Sequence, residues 1–296
     1  MGTTDTKLEV RVPGSTSNLG PGFDLLGLAI DLELAVAAAP KSGSRSGLTD
    51  LSGEAAGWPT GADNLLLAAF DRVAGAGAHE AFEFRAHSQI PTGRGFGSSG
   101  AAVAAGLLLG ASAAGTERDL EALFRVGLDL EGHPDNLGPS LFGGCQLLVS
   151  AGEDWIREPL ALHESLRFAV AWPREPMPTR RARAALPEHP TRADAIHNAG
   201  RLQLLVRGLE RGSPELLRAG CDDRLHVPHR LGLLPGAREA LAAAFAAGAW
   251  SASLSGSGSG LFAIAGADEI EAVAAALRTE LELATGWADA RVVAAR

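Results

Sequence analysis

Residues 93–100, GRGFGSSG, put four glycines and two serines into eight positions, and the chain then runs into AAVAAGLLLGASAA. A loop with so few side chains packs little by itself. Glycine tolerates positive φ and lets backbone come close to a ligand. The first N–H groups of the following helix, near Ser98 and Ser99, have no partner inside it. Such a terminus carries about half a positive charge and suits phosphate. The helix, predicted over 99–114, is small and apolar all round and must be buried, so the chain has to fold around it. A flexible turn, or close packing of helix on strand, would use the same glycines.

The surrounding sequence narrows the choice of phosphate loop. The pattern G-x-x-x-x-G-K-[ST] fails for want of a lysine. Gly95, Gly97 and Gly100 satisfy G-x-G-x-x-G, but a dinucleotide fold needs a strand after the helix, ending in an acidic residue. Here an amphipathic segment follows, with Leu120, Leu123, Phe124, Gly127 and Leu128 on one stripe and Thr116 with Asp119 as an N-cap signature. The loop is a triphosphate cradle of another design.

Alternating polarity predicts strands at 8–13 and 26–39, with further strands at 81–90 and 145–150, a helix at 63–75, and a loop or hairpin region over 41–53. Beyond residue 160, a strand at 166–173 is followed by helices near 193–211 and 236–248. A strand–turn–strand over 251–265, a helix at 267–284 and a closing strand from 288 complete the pattern. No repeat or long linker interrupts it. Two α+β domains sharing one cleft, 1–160 and 161–296, form the economical architecture.

Net charge is −9 and no basic run exceeds RRAR at 180–183, which argues against a nucleic-acid partner. An anion must be held here by local geometry. No apolar stretch is long enough to span a bilayer, and MGTTDTKLEV lacks a secretory plan, so no membrane partner is expected. Cys145 and Cys221 stand alone, which argues against a disulfide framework or thiolate zinc site and fits a reducing, cytoplasmic setting.

Three further stretches carry polar groups in tight clusters. RVPGSTSNLGPGFDLLGLAI (11–30) places Ser, Thr, Asn, Gly and Pro between two strands and then presents Asp24. EGHPDNLGPSLFGG (131–144) gathers Glu131, His133, Asp135 and Asn136 at a helix C-terminus. SASLSGSGSGLFAIA (251–265) is a second small-residue turn. With the glycine loop, in this order, they resemble the motif set of the GHMP small-molecule kinases. The first two of these stretches are most similar to the homoserine kinase family.

The resemblance spans nearly the whole chain. It implies a two-domain GHMP kinase fold, with an N-terminal α+β domain containing a left-handed βαβ crossover and a C-terminal ferredoxin-like domain. ATP and L-homoserine would lie between the domains, and dimers are common in the family. Phosphate would sit on Gly93, Arg94, Gly95, Phe96, Gly97, Ser98 and Ser99, with Pro91 beside them and adenine near Asn64. Mg2+ would be held by Ser98 or Ser99 and by Glu131, with Asp129 as the alternative carboxylate. The amino acid would meet Asn18, Asp24, Asn136, Arg183 and Arg230. Asn136 stands where other members of the superfamily place a catalytic aspartate, implying direct attack by a substrate hydroxyl held by Asn136. His133 would polarise or orient it, or serve only as a loop histidine. The chain departs from the family pattern at Gly14 (usually alanine), Pro178 (usually serine, leaving Thr179) and Ser259 (usually proline).

The chemistry also stands without the resemblance. A zwitterionic amino acid needs an anion for its ammonium and a cation for its carboxylate. Asp24 and two arginines are the right types, and arginine grips carboxylate bidentately where lysine cannot.

Overall fold

The computed structural model describes residues 7–43, 46–61, 63–152 and 154–296. The alternating segments form β1 (Leu8–Ser17) and β2 (Leu26–Pro40). After them come β3 (Gly47–Gly53), α1 (Leu65–Ala74), β4 (Phe82–Ser88) and α2 (Ser98–Ala114). Helices α3 (Leu120–Glu131) and α4 (Pro134–Phe142) lead to β5 (Cys145–Ala151) and β6 (Asp154–Leu160). The spine is β2. One edge of it pairs antiparallel with β1, and β4 and β5 share the other edge. Outside these lie β3, parallel to β4 and joined to it through α1, and β6, antiparallel to β5.

Two of these strands lie where the sequence predicts only a loop or hairpin region, or nothing regular. The 41–53 region contains β3, and β6 lies in a stretch rich in Pro, Trp and Arg. Both are outer strands with several exposed positions, so neither needs a strong apolar stripe. The expected Thr116 cap is also corrected. Asp119 caps α3, its Oδ1 accepting from Glu121 N at 3.0 Å and Ala122 N at 3.1 Å. Thr116 N instead donates to Ala111 O at the end of α2. The EGHPDN stretch bridges two helices rather than ending one. Glu131 closes α3, left-handed Gly132 turns the chain, and Pro134 opens α4.

The second half supplies β7 (Arg167–Pro173), α5 (Thr179–Ala184), α6 (Arg192–Arg211), α7 (Pro214–Gly220) and α8 (Val227–Leu231). It ends with α9 (Ala237–Ala246), β8 (Ser251–Leu254), β9 (Leu261–Ala265), α10 (Ile270–Thr285) and β10 (Ala288–Val293). Its sheet runs β10-β7-β9-β8, antiparallel throughout, which is the strand order of a ferredoxin-like unit. One face, with Phe168, Val170, Trp172, Phe262 and Ile264, joins the core of the first half. The other, lined by Ala169, Ala171, Ala263 and Ala265, packs with α9 and α10. Phe96 meets Trp172 edge-on across the junction, centroids 5.5 Å apart. The final residues return to β2, where Arg296 N donates to Ala29 O at 3.1 Å. The two halves therefore share apolar packing as well as a cleft.

Helix α2 threads the first core, buried from Gly100 through Leu107. Its glycines set how closely α1 approaches: a Cβ on Gly106 would collide with Leu66 O, and one on Gly110 would lie 2.7 Å from Phe70 O. Intrinsic propensity makes Ala better than Gly in a helix interior by about 1 kcal/mol. Packing predicts the opposite sign for Gly106→Ala, a loss of about 2 kcal/mol or more in denaturant unfolding. A gain in stability would show that the helices are not in this close contact.

Candidate active site

A cleft of about 340 Å³ lies where the two halves meet. Its floor is the glycine loop. Gly93, Gly95 and Gly97 have φ of 72°, 83° and 70°, values that side chains resist. Five successive carbonyls of the loop are taken by protein donors. Gly93 O accepts from Met177 N, Arg94 O from Gly260 N, Gly95 O from Ser255 Oγ, Phe96 O from Ser15 N, and Gly97 O from Ala101 N, all within 2.7–3.1 Å. The repulsive end of each of these peptides is thus held by protein. Side chains cap α1, α3, α6 and α7, through Asn64, Asp119, Thr191 and Ser213; no side chain caps α2. Its N-terminal N–H groups are left to the cleft, an arrangement suited to an anion.

Most of the predicted nucleotide residues line the cleft: Asn64, Gly93, Gly95, Phe96, Gly97, Ser98 and Ser99. The amide of Asn64 is already engaged, its Oδ1 accepting from Leu66 N and its Nδ2 donating to Pro59 O at 2.8 Å. It shapes the wall beside Trp58. Pro91 and Arg94 lie off the cleft wall. The Arg94 guanidinium donates to the carbonyls of Thr92, Pro173 and Arg174, joining the glycine loop to the end of β7.

Glu131 lines the cleft next to Ser99, whose hydroxyl donates to Glu131 Oε1 at 2.6 Å. Burial pushes this carboxyl up to about 7, against the hydrogen bond from Ser99. Asp129, the alternative, faces outward and pairs with Arg72 at 2.9 Å. Among the described residues, no three acidic, histidine or cysteine side chains gather as a metal cage. The donor set of Glu131, Ser98 and Ser99 fits Mg2+, a hard cation that takes oxygen ligands and needs only one or two carboxylates when phosphates complete its shell.

The opposite wall collects charge from both halves. Asn18 and Asp24 adopt φ of 73° and 57°, and Asn18 Oδ1 accepts from Asp24 N at 3.0 Å. Arg183, from α5, grips Asp24 through both terminal nitrogens at 2.9 and 3.1 Å, while its buried Nε has no protein acceptor. Arg230, from α8, is fully buried, and its NH1 donates to Gly256 O at 3.1 Å. The same carbonyl accepts from Asn18 Nδ2 at 2.8 Å. Burial, then the charge of Arg183, depresses the Arg230 pKa. Thr179, left by the Pro178 departure, lines the cleft, and the Ser259 hydroxyl fastens the β8–β9 turn to Glu175 O at 2.7 Å.

Asn136 and His133 lie between these walls. Asn136 accepts from Ser15 Oγ at 3.0 Å and donates to Ser17 Oγ at 3.3 Å, and a Cβ on Gly97 would lie 3.1 Å from its Oδ1. The ring Nδ1 of His133 is 3.1 Å from Glu131 O. Two further acids line the cleft, Asp63, exposed beside Asn64, and Asp135. Asp135 is buried beside Asn136, its carboxyl pushed up to about 6 by burial and then by the charge of Asp24, against a hydrogen bond from Ser17. The sequence places it in the polar cluster of the EGHPDN stretch but assigns it no role. Its place in the first turn of buried α4, after the break between α3 and α4 at Gly132, turns it into the cleft.

The chain matches known proteins in sequence and in fold. Residues 64–144 match the GHMP kinases N terminal domain and residues 205–283 the GHMP kinases C terminal. A homoserine kinase of Thermus thermophilus is 41% identical over 268 residues, spanning 90% of this chain and 89% of that protein. One from Picosynechococcus is 37% identical over 283 residues, spanning 94% and 93%. Among solved structures, homoserine kinase from Cytophaga hutchinsonii superimposes with a TM-score of 0.85 at 25% identity, covering 100% of this chain and 96% of that one. Mevalonate kinase of L. major follows the same fold, with a TM-score of 0.76 at 13% identity. Together with a cleft that joins an uncapped helix terminus to paired acids and guanidiniums, these relatives place the chain in the homoserine kinase family of the GHMP kinases.

Proposed function

We propose that this protein transfers a phosphoryl group from ATP to the side-chain hydroxyl of L-homoserine, giving O-phospho-L-homoserine on the route to threonine. The observation that carries the reading is the pairing, in one cleft, of an uncapped helix N-terminus with an acid–guanidinium cluster drawn from both halves. The first suits polyphosphate and the second suits an amino acid, and a mevalonate or sugar site would have no use for both charges.

In this reading residues 1–160 carry ATP and residues 161–296 complete the substrate cleft. The loop from Gly93 to Ser99 holds the phosphates, with the purine between Trp58 and Asn64. Glu131 with Ser98 or Ser99 holds Mg2+, which when bound neutralises phosphate charge. Asp24 and Asp135 offer negative charge to the ammonium. Arg183, through its free Nε, and Arg230 offer cations to the carboxylate. Asn136 positions the hydroxyl. Phosphoryl transfer runs through a loose transition state in which positioning and charge neutralisation dominate, so the hydroxyl needs no strong base. His133 orients the approach from beside Glu131. The two unpaired cysteines fit work in a reducing cytosol.

The direct test is ADP release in the presence of homoserine, mevalonate or galactose. Turnover is expected with homoserine alone. Equal or greater turnover with mevalonate or galactose, or ATP binding without turnover of any alcohol, would overturn the reading.

Asp135 gives a second test through stability. Its carboxyl is raised from an ordinary 3.8 to about 6 in the fold. The unfolded chain therefore loses this proton first as pH rises, and stability falls between about pH 4 and pH 6. Above that the buried charge costs on the order of 3 kcal/mol as an upper bound. Asp135→Asn should thus unfold at higher denaturant than the parent at pH 8, with the difference shrinking at pH 4, while homoserine turnover drops. The same stability difference at both pH values would contradict this picture.

A further inference from the structure

His226 immediately precedes α8 and is fully buried. It does not line the cleft, yet its ring joins both sides of the amino-acid cluster. Its Nε2 lies 2.8 Å from Gly20 O and its Nδ1 lies 3.2 Å from Arg230 NH1. A carbonyl only accepts and a guanidinium only donates, so the partners assign the tautomer: hydrogen on Nε2, a bare lone pair on Nδ1. Burial and the charge of Arg230 both hold the ring in its neutral form, against the pull of Asp223.

The ring is braced on every side. It stacks on Phe23, centroids 4.9 Å apart, and the Arg230 guanidinium lies 5.1 Å from the same phenyl ring. Its backbone N–H donates to Asp223 Oδ2 at 2.8 Å, and Asp223 Oδ1 is held by Asn198 of α6 at 2.7 Å. Gly20 ends a run of three left-handed residues, Asn18, Leu19 and Gly20, with φ of 73°, 48° and 88°. Two of these are not glycine, and backbone in that region persists only where its surroundings hold it. The same run carries Asn18, which holds the N–H of Asp24. One imidazole therefore pins the turn that presents the acid, in the first half, to the cation in the second.

We propose that His226 is a positioning residue that fixes the separation between Asp24 and Arg230 and so sets the fit of an amino acid carrying both charges. It acts through those two groups and touches no substrate, and this role rests on the homoserine reading given above. A leucine would fill the space but leave Gly20 O and one Arg230 N–H without their partner. A glutamine keeps one donor and one acceptor.

The test compares His226→Leu and His226→Gln in steady-state kinetics, with thermal unfolding measured alongside. Loss of a hydrogen bond to a charged group predicts that His226→Leu raises the homoserine KM roughly ten- to a hundredfold. The ATP KM should stay within about twofold, because the phosphate loop keeps its own supports. His226→Gln should recover most of the homoserine affinity. A purely structural role would instead lower kcat with both KM values unchanged, or shift both together, and would overturn the proposal. A second arm needs no activity. 15N NMR of the imidazole at neutral pH should show the neutral ring with hydrogen on Nε2, and Arg230→Ala should move the Nδ1 resonance. Hydrogen on Nδ1, or an Nδ1 resonance indifferent to Arg230, would remove the bridge. If the parent protein ignores homoserine, the functional reading falls and this second arm still decides whether His226 spans the two groups.

Discussion

The glycine loop is wedged between two walls, and the site depends on that wedge. On one side Phe96 O accepts from Ser15 N of β1. On the other Gly95 O and Arg94 O accept from Ser255 and Gly260 of the β8–β9 turn. A Cβ on Gly95 would collide with Ser255 O, and one on Gly97 with Ser15 Oγ. The glycines are thus required twice, for positive φ and for contact on both sides. Because donors from the two halves take the loop's carbonyls, its peptide dipoles are fixed before any ligand arrives. Such preorganised dipoles need no rearrangement when charge appears beside them.

The same wedge sets the partnership of the two halves. Gly256, one residue past Ser255, offers a single carbonyl to Asn18 Nδ2 and to Arg230. The turn that clamps the glycine loop therefore also holds Asn18 and Arg230 beside the acid–guanidinium cluster. Electrostatics follow from this closeness. Glu131 and Asp135 are pushed up by burial, while Arg230 is pressed down by burial and by Arg183. Burial thus disfavours the charged forms of all three groups, and ligands of opposite charge, as in the proposed function, would offset that cost. The shared apolar core beneath, with Phe96 against Trp172, keeps the halves in register.

Much of this was legible in the sequence. The Gly/Ser run is conspicuous because so few folds need residues without side chains at a helix start, and the stretches around Asn18, Glu131 and Gly256 each pack polar groups into a short turn. What escaped reading is physical in origin. Strands β3 and β6 lie at or near sheet edges, where exposure weakens alternation. Arg94 sits inside the phosphate motif, yet its guanidinium serves the junction with β7. Asn64 caps its own helix before it can serve a purine. Asp135 stands in a polar cluster with no role of its own legible there, and His226 carries no motif. They acquire meaning only when tertiary packing buries one beside Asn136 and sets the other between Gly20 and Arg230.

In the proposed function, bare peptide N–H groups at the start of α2 receive the phosphates of the nucleotide. Backbone amide NMR during titration with a non-hydrolysable ATP analogue and Mg2+ tests it most directly. The amide resonances of Gly95, Gly97, Ser98 and Ser99 should shift most, and at the same nucleotide concentrations as one another. Saturation with these four amides unmoved, and the shifts gathered elsewhere, would contradict it.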